Sequence, residues 1–403
     1  MSTKKMIKTI SQNPIITSIF TADPSAHVWD DGKIYIYASH DIDPPRGCDL
    51  MDCYHVFSSG DMINWTDEGE ILRSDDVPWG RAEGGFMWAP DCAYKNGVYY
   101  FYYPHPSGTD WNNTWKIGVA ESKNPSKDFI DRGYIEGLGG FAMIDPCVFT
   151  DSDGRSYIYT GGGGRCEGAE LNGDMISIKY KSDMTGLEDF HEAAWVFKRK
   201  GIYYLTYSDN LPGKNRMRYA MSANPLGPWE YKDVFLEPTG CDTSHGSVVE
   251  FCGLWYLFYH NCDISGAGNL RSVCADYLYF NEDGTIKTVE QTKKGGIMPA
   301  GAAPVLNDMQ KYESGTGVFH DVYGGENGGR AELYIAYETT EKSAKINLIV
   351  NGADHSLLNM PDTENFARIT VKLKPGKINT IKLTKPLLSP GELKIGYIAV
   401  DLF

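Results

Sequence analysis

The feature that most constrains this chain is a unit that occurs five times in its first three-quarters: a turn carrying glycine, then a short strand rich in aromatic side chains. The copies are DDGKIYIYASHD (Asp30–Asp41), KNGVYYFYYPH (Lys95–His105), SDGRSYIYTGG (Ser152–Gly162), RKGIYYLTYSD (Arg199–Asp209) and CGLWYLFYHN (Cys252–Asn261). Their glycines are Gly32, Gly97, Gly154, Gly201 and Gly253. Within each strand, aromatic or aliphatic residues alternate with others, the period of a sheet with one buried face. A second strand and turn follow each copy, as in HVFSSGDMINWTDEG and MRYAMSANPLGPWEY. Regular repeats of ~40–60 residues, each able to close a small antiparallel sheet, predict a β-propeller. Five copies predict five blades. Coincidental strands of a sandwich would not repeat one turn-and-strand unit in this way.

The texture changes after about Pro304. Tryptophan disappears, and lysine-rich alternating strands take over: AELYIAYET, AKINLIVNG, ARITVKLKPGKINTIKL and ELKIGYIAVDLF. Asn351-Gly352 and Pro375-Gly376 mark turns between them. This pattern predicts a separate small β-sandwich. The chain of 403 residues is therefore read as all-β. A five-bladed propeller is assigned to residues 11–305 and a sandwich to 306–403. The 44 glycines and 26 tyrosines agree with strands and tight turns over long helices.

A formal charge of −15 argues against a nucleic-acid or anionic-membrane partner, although surface acidity often serves only solubility. No stretch approaches the ~20 apolar residues of a membrane helix. The nine cysteines are scattered without a C-x-x-C pair, so neither a zinc ribbon nor a redox motif is expected. MSTKKMIKTISQNPIITS lacks the apolar core of a signal peptide. The expected compartment is reducing and cytoplasmic.

Three carboxylates stand out. Asp23 lies in TADPSAHVWDDGKIYIY, directly before the first aromatic strand. Asp145, in MIDPCVFTDSDGRSYIY, lies at the same offset before the third. Both precede proline, which predicts extended geometry for the aspartate. Equivalent places on two blades would aim both into the central funnel. The plain reading is that Asp-Pro starts a turn. Glu192, in DFHEAAWVFKRKGIYYLTYSD, is followed by apolar Ala193, Ala194, Trp195, Val196 and Phe197. Such neighbours strip water from a carboxyl and raise its pKa, which suits a general acid. The plain reading here is an exposed glutamate at a strand edge.

These segments resemble glycoside hydrolase family 43. The matching motifs are ADPS (Ala22–Ser25), WAPD (Trp88–Asp91), IDPCVFTDSDG (Ile144–Gly154), HEAAWVFKRKGIYYLTYS (His191–Ser208) and SHGSVVE (Ser244–Glu250), in the family's order over roughly residues 11–305. The resemblance implies that Asp23 is the general base, Glu192 the general acid, and Asp145 the residue that orients the acid and tunes its pKa. It implies an inverting reaction, which needs carboxyls ~6.5–9.5 Å apart to admit a water. It further implies that Trp88 walls the sugar pocket, unless it is a core residue. Arg271 would contact sugar hydroxyls, unless it lies on the surface. His245 would sit near an ion on the propeller axis, where a calcium ion, another structural ion or water could lie. Calcium prefers oxygen ligands, so one histidine with waters is an unusual site for it. No organic cofactor is expected.

The implied activity removes pentose units from hemicellulose-derived glycans, as α-L-arabinofuranosidase with β-xylosidase as a second activity. The rival readings are an endo-arabinanase or galactan-acting enzyme, and a non-catalytic glycan-binding propeller. The C-terminal region resembles a carbohydrate-binding module of the family 6 or 35 type through PGKINTIKL and YIAVDLF. It lacks tryptophan, so a packing role is favoured over a stacking platform for sugars.

Overall fold

The computed structural model of the protein describes residues 13–292, apart from 46, 61, 63, 64, 252 and 253. It also describes 310–402, apart from 314–316, 326–327, 340–343, 361–365 and 387–392. The chain divides into two compact units, the first spanning Gln12–Ile297. The boundary expected at 305/306 lies outside the described residues. Regular structure in the described residues is strand throughout, apart from three single-turn 3-10 helices. The protein is all-β.

The first unit holds five antiparallel sheets that use the chain in order. The first contains β1 (Thr21–Val28), β2 (Ile34–His40), β3 (Cys53–Ser59) and β4 (Thr66–Arg73). The second contains β5 (Asp91–Lys95), β6 (Val98–Pro106), β7 (Trp115–Ser122) and β8 (Ile130–Gly140). The third contains β9 (Cys147–Thr150), β10 (Ser156–Thr160), β11 (Glu167–Leu171) and β12 (Ile178–Asp183). The fourth contains β13 (Glu192–Arg199), β14 (Ile202–Ser208), β15 (Met217–Ser222) and β16 (Glu230–Leu236). The fifth contains β17 (Ser247–Phe251), β18 (Leu254–Asn261) and β19 (Ser272–Tyr277).

The repeated aromatic strands are the second strands, β2, β6, β10, β14 and β18. The glycine turn before each joins it to the first strand. Gly32, Gly97, Gly154 and Gly201 have φ of 77°, 80°, 83° and 84°, a conformation that a side chain disfavours. Gly253 lies outside the described residues. Aromatic side chains from these strands fill the space between sheets; the rings of Tyr37 in β2 and Phe101 in β6 lie with centroids 5.9 Å apart. Burying each such ring stabilises by ~1.5–3 kcal/mol relative to exposure.

The first strands of successive sheets are neighbours: β1 packs on β5, β5 on β9, β9 on β13 and β13 on β17. β17 then returns to β1. The segment before β1 fastens this return. Ile15 N–H donates to Val273 O at 2.8 Å, and Thr21 N–H to Arg271 O at 2.9 Å. The Asn13 amide exchanges two bonds with the Ala275 backbone at 3.0 Å. Residues 13–21 thus lie along β19, the last strand of the fifth sheet.

The second unit, taken by itself, has two four-stranded sheets. One pairs β20 (Gln310–Glu313), β27 (Leu393–Leu402), β22 (Gly329–Thr339) and β25 (Phe366–Leu373) in that order. The other pairs β21 (Val318–Val322), β26 (Asn379–Thr384), β23 (Ala344–Val350) and β24 (Ala353–Met360). Leu333, Ile335 and Ile398 from the first sheet share one apolar core with Leu348, Ile381 and Phe319 from the second. The Asn351-Gly352 turn has φ of 54° and 83°, as its sequence predicts.

Candidate active site

Asp23 lies in β1 and Glu192 opens β13. Each strand carries a register shift at that point, between Ala22 and Ser25 and between Glu192 and Trp195. Such bulges bend a strand end and re-aim its side chains. The aspartates are not extended, as the prolines after them predict. Asp23 and Asp145 have φ of 53° and 54°, and Ala193 after Glu192 has 64°. Proline disfavours the right-handed helical region for its predecessor, but a short polar side chain tolerates positive φ. The surrounding hydrogen bonds hold that costly conformation in place.

Those bonds are dense around Asp23. Its backbone N–H donates to His260 Nδ1 at 3.1 Å. Ser39 Oγ donates to its Oδ2 at 2.6 Å, and Arg271 Nη1 to its Oδ1 at 2.9 Å. Burial alone would raise its pKa, but Arg271, His260, His245 and Ser39 outweigh it and bring the carboxyl down to about 2. His260 accepts at Nδ1, so its Nε2 carries the proton and donates to Thr243 O at 2.9 Å. Burial, with Arg271 nearby, lowers its pKa to about 4 and keeps the ring neutral.

Glu192 has the opposite electrostatics. Ala193, Ala194 and Trp195 beside it are buried, as its sequence context predicts. Burial, followed by repulsion from Asp23, pushes its pKa up to about 7 against a weaker pull from Arg271. Asp145 is also raised, by burial first and then by Glu192 and Asp23. Two buried carboxyls so coupled do not ionise together, so the pair retains a proton near neutrality. Asp145 does not reach Glu192 through a bond to its carboxyl. Its Oδ2 accepts the Ala193 N–H at 2.8 Å and so fixes the peptide that follows Glu192.

Arg271 is buried, not superficial, and all five of its side-chain donors face protein acceptors. Nε and Nη2 grip Asp41 at 2.9 and 2.8 Å, Nη1 serves Asp23 and Thr243 at 2.9 Å each, and Nη2 also approaches Met51 Sδ at 3.8 Å. Sequence reasoning gives this arginine to sugar hydroxyls; in the structure it also donates to Asp23. Trp88 is partly exposed in an aromatic cluster with Phe86, Trp111 and Trp115, its Nε1 donating to Cys48 O at 2.7 Å. His245 is buried with Nδ1 3.7 Å from Asp145 Oδ2. Among the described residues His245 belongs to no cluster of three His, Cys, Asp or Glu ligand atoms.

Sequence reasoning missed Ser39, Asp41, Thr243 and His260. Ser39 and Asp41 lie in the SHD that ends the first repeat and His260 in the HN that ends the fifth, so the signal was a polar residue closing an aromatic strand. Asp91, the last residue of WAPD, serves the framework. It accepts from Ser25 Oγ at 2.6 Å, contacts His27 Nε2 at 2.6 Å and accepts the Val148 N–H, tying β1, β5 and β9 together.

This set of carboxyls, at the first strands of the first, third and fourth sheets, coincides with a known family. Residues 11–286 match the family described as Glycosyl hydrolases family 43. The chain belongs to that family. It is a glycoside hydrolase. Xylosidase/arabinosidase 43A of Humicola insolens is 35% identical over 334 residues, covering 68% of this chain and 98% of the relative. Among solved structures, a family 43 beta-xylosidase/alpha-arabinofuranosidase from a compost microbial metagenome, in complex with xylotriose and in a calcium-free form, is 35% identical with a TM-score of 0.63. That similarity covers 69% of this chain and 97% of the other. An arabinoxylan arabinofuranohydrolase from Bacillus subtilis shares the fold over 98% of this family 43 chain and 99% of its own, at 22% identity and a TM-score of 0.60.

Proposed function

We propose that this family 43 hydrolase removes pentose units from hemicellulose-derived oligo- and polysaccharides, as an α-L-arabinofuranosidase that also acts as a β-xylosidase. The names of its relatives support the substrate class. The observation that carries the mechanism is the split between two buried carboxyls, Asp23 at about 2 and Glu192 at about 7. At neutral pH the first is a base and the second still carries a proton. Asp23 takes a proton from a water as that water attacks the anomeric carbon. Glu192 gives its proton to the departing glycosidic oxygen. Asp145 positions Glu192 through Ala193, and Arg271 positions Asp23. Trp88 offers the sugar an apolar wall. No step runs through a calcium ion at His245, which offers one nitrogen and leaves the remaining ligands to water.

In this reading the five sheets are blades of a closed propeller, supported by the return of β17 to β1. The propeller corresponds to residues 11–305, and the two later sheets form a β-sandwich in 306–403. The sandwich packs without binding glycan, supported by the absence of tryptophan from residues 306–403. Loss of binding to insoluble xylan on deleting 306–403 would contradict that role.

Water attack from one side with acid on the other inverts the anomeric centre. Proton NMR of the first product, recorded before mutarotation, is expected to show the opposite configuration to the substrate. Retained configuration, or a glycosyl adduct on Asp23 by mass spectrometry, would overturn the mechanism.

A further inference from the structure

A second group of reactive side chains lies where β2 ends and β3 begins in the first sheet. Cys53 opens β3 and is buried. His40 Nδ1 lies 3.5 Å from its Sγ and 3.4 Å from Asp52 Oδ1. These three ligand atoms all lie within 4.8 Å of one another. The same thiol forms a second triplet with His55 and Glu70 within the same limit. His55 Nδ1 is buried without a hydrogen-bond partner; its nearest carboxylate, Asp67 Oδ1, stands 3.6 Å away.

The distances match the edges of a coordination tetrahedron. Zinc bonds of ~2.3 Å to sulfur and ~2.0–2.1 Å to nitrogen and oxygen put S···N at about 3.6 Å and N···O at about 3.3 Å. Arg73 is the competing cation, but it leaves the relevant oxygen free. Its Nη2 takes Asp52 Oδ2 at 2.6 Å, while Oδ1 faces His40. Its Nη1 takes Glu70 Oε2 at 2.5 Å. One arginine here pairs with two carboxylates, Asp52 and Glu70, while a third, Asp67, stands beside His55, so the carboxylates outnumber the arginine. Metal sites commonly hold their carboxylate ligands by an outer partner in this way.

We propose that His40 Nδ1, Asp52 Oδ1 and Cys53 Sγ bind one divalent first-row transition ion of the zinc type, with a fourth position open to solvent. The nitrogen, oxygen and sulfur donors suit zinc over calcium or magnesium. Binding breaks the Cys53 S–H bond, forms a sulfur–metal bond and releases the proton to solvent, with no change of oxidation state. The ion would pin the loop between β2 and β3. That loop carries the Cys48 carbonyl that holds Trp88 and the Met51 sulfur beside Arg271.

The test uses the full chain stripped with a chelator, then titrated with zinc against a chromophoric competitor and separately with cobalt. One equivalent of zinc should bind, and cobalt should give sulfur-to-metal charge-transfer absorption. Cys53→Ser should abolish that absorption and weaken zinc binding by more than the ~10–100-fold that an outer partner contributes. A Cys241→Ser, Cys262→Ser double variant should change neither. If Cys53→Ser fails to fold, His40→Gln keeps the thiol and should still weaken zinc binding. Absence of stoichiometric binding, thiolate absorption that persists in Cys53→Ser, or wild-type affinity in His40→Gln would each overturn the proposal.

Discussion

The starts of β1 and β13 present a carboxyl by the same backbone device and give it opposite chemistry. Both strands carry a bulge beside the residue in question, and a positive φ stands at or just after it. Both carboxyls are buried, so desolvation raises each pKa. At β1 a buried guanidinium, a hydroxyl and two imidazoles surround the carboxylate, and their pull exceeds the cost of burial. At β13 buried Ala193, Ala194 and Trp195 follow in the chain, His191 Nε2 stands 3.6 Å from the carboxyl, and the strongest nearby charge is Asp23 itself. Burial therefore does not decide ionisation here; what is buried alongside does. The charge of the base also helps keep the acid protonated, so the two groups are tuned as a pair.

Removing either member breaks the comparison outright. Asp23→Asn and Glu192→Gln should each lower kcat on natural glycans by ~10²–10⁴-fold with the fold intact by circular dichroism. The two should part on aryl glycosides. A good leaving group needs little protonation, so Glu192→Gln recovers much of its rate there and Asp23→Asn does not. Equal losses on both substrates would show that the roles are not divided in this way.

A smaller effect sharpens the β1 side. Arg271→Met removes the charge that holds Asp23 low. The Asp23 pKa should climb from about 2, so the acidic limb of kcat/KM moves to higher pH and kcat falls at pH 4–5 more than at pH 6. An arginine that only touched sugar would raise KM and leave the limb in place, and that outcome would return Arg271 to the substrate.

The smallest effect concerns the wall. Trp88→Ala should raise KM with little change in kcat, on the scale of one aromatic contact, ~0.5–1.5 kcal/mol. A loss confined to kcat would mean that Trp88 acts only through its contacts with Trp111 and Trp115.

The same contrast explains what could be read from the sequence. The glycine turns were legible because a tight link between first and second strands needs positive φ, which marks Gly32, Gly97, Gly154 and Gly201. Glu192 was legible because buried apolar residues follow it directly in the sequence. The setting of Asp23 was not, because Arg271 lies 248 positions away and meets it only when the fifth sheet returns to the first. Asp41, 230 positions from Arg271, was hidden for the same reason. The geometry of Asp23 departs from the proline rule because the strand bulges between Ala22 and Ser25. Among the strands, β20, β21 and β24 in the second unit were not read, being outside the lysine-rich alternating segments.

The central claim is that Glu192 keeps its proton at a pH where Asp23 has lost its own. Carbon-13 NMR of protein labelled at glutamate side-chain carboxyls tests it most directly, with Glu192→Gln to assign the signal. The resonance lost in that variant should titrate near 7 and move to lower pH in Asp23→Asn, because the repulsion from Asp23 is gone. A Glu192 signal that titrates near the ordinary glutamate value of 4.5, or one that does not respond to Asp23→Asn, would contradict the account.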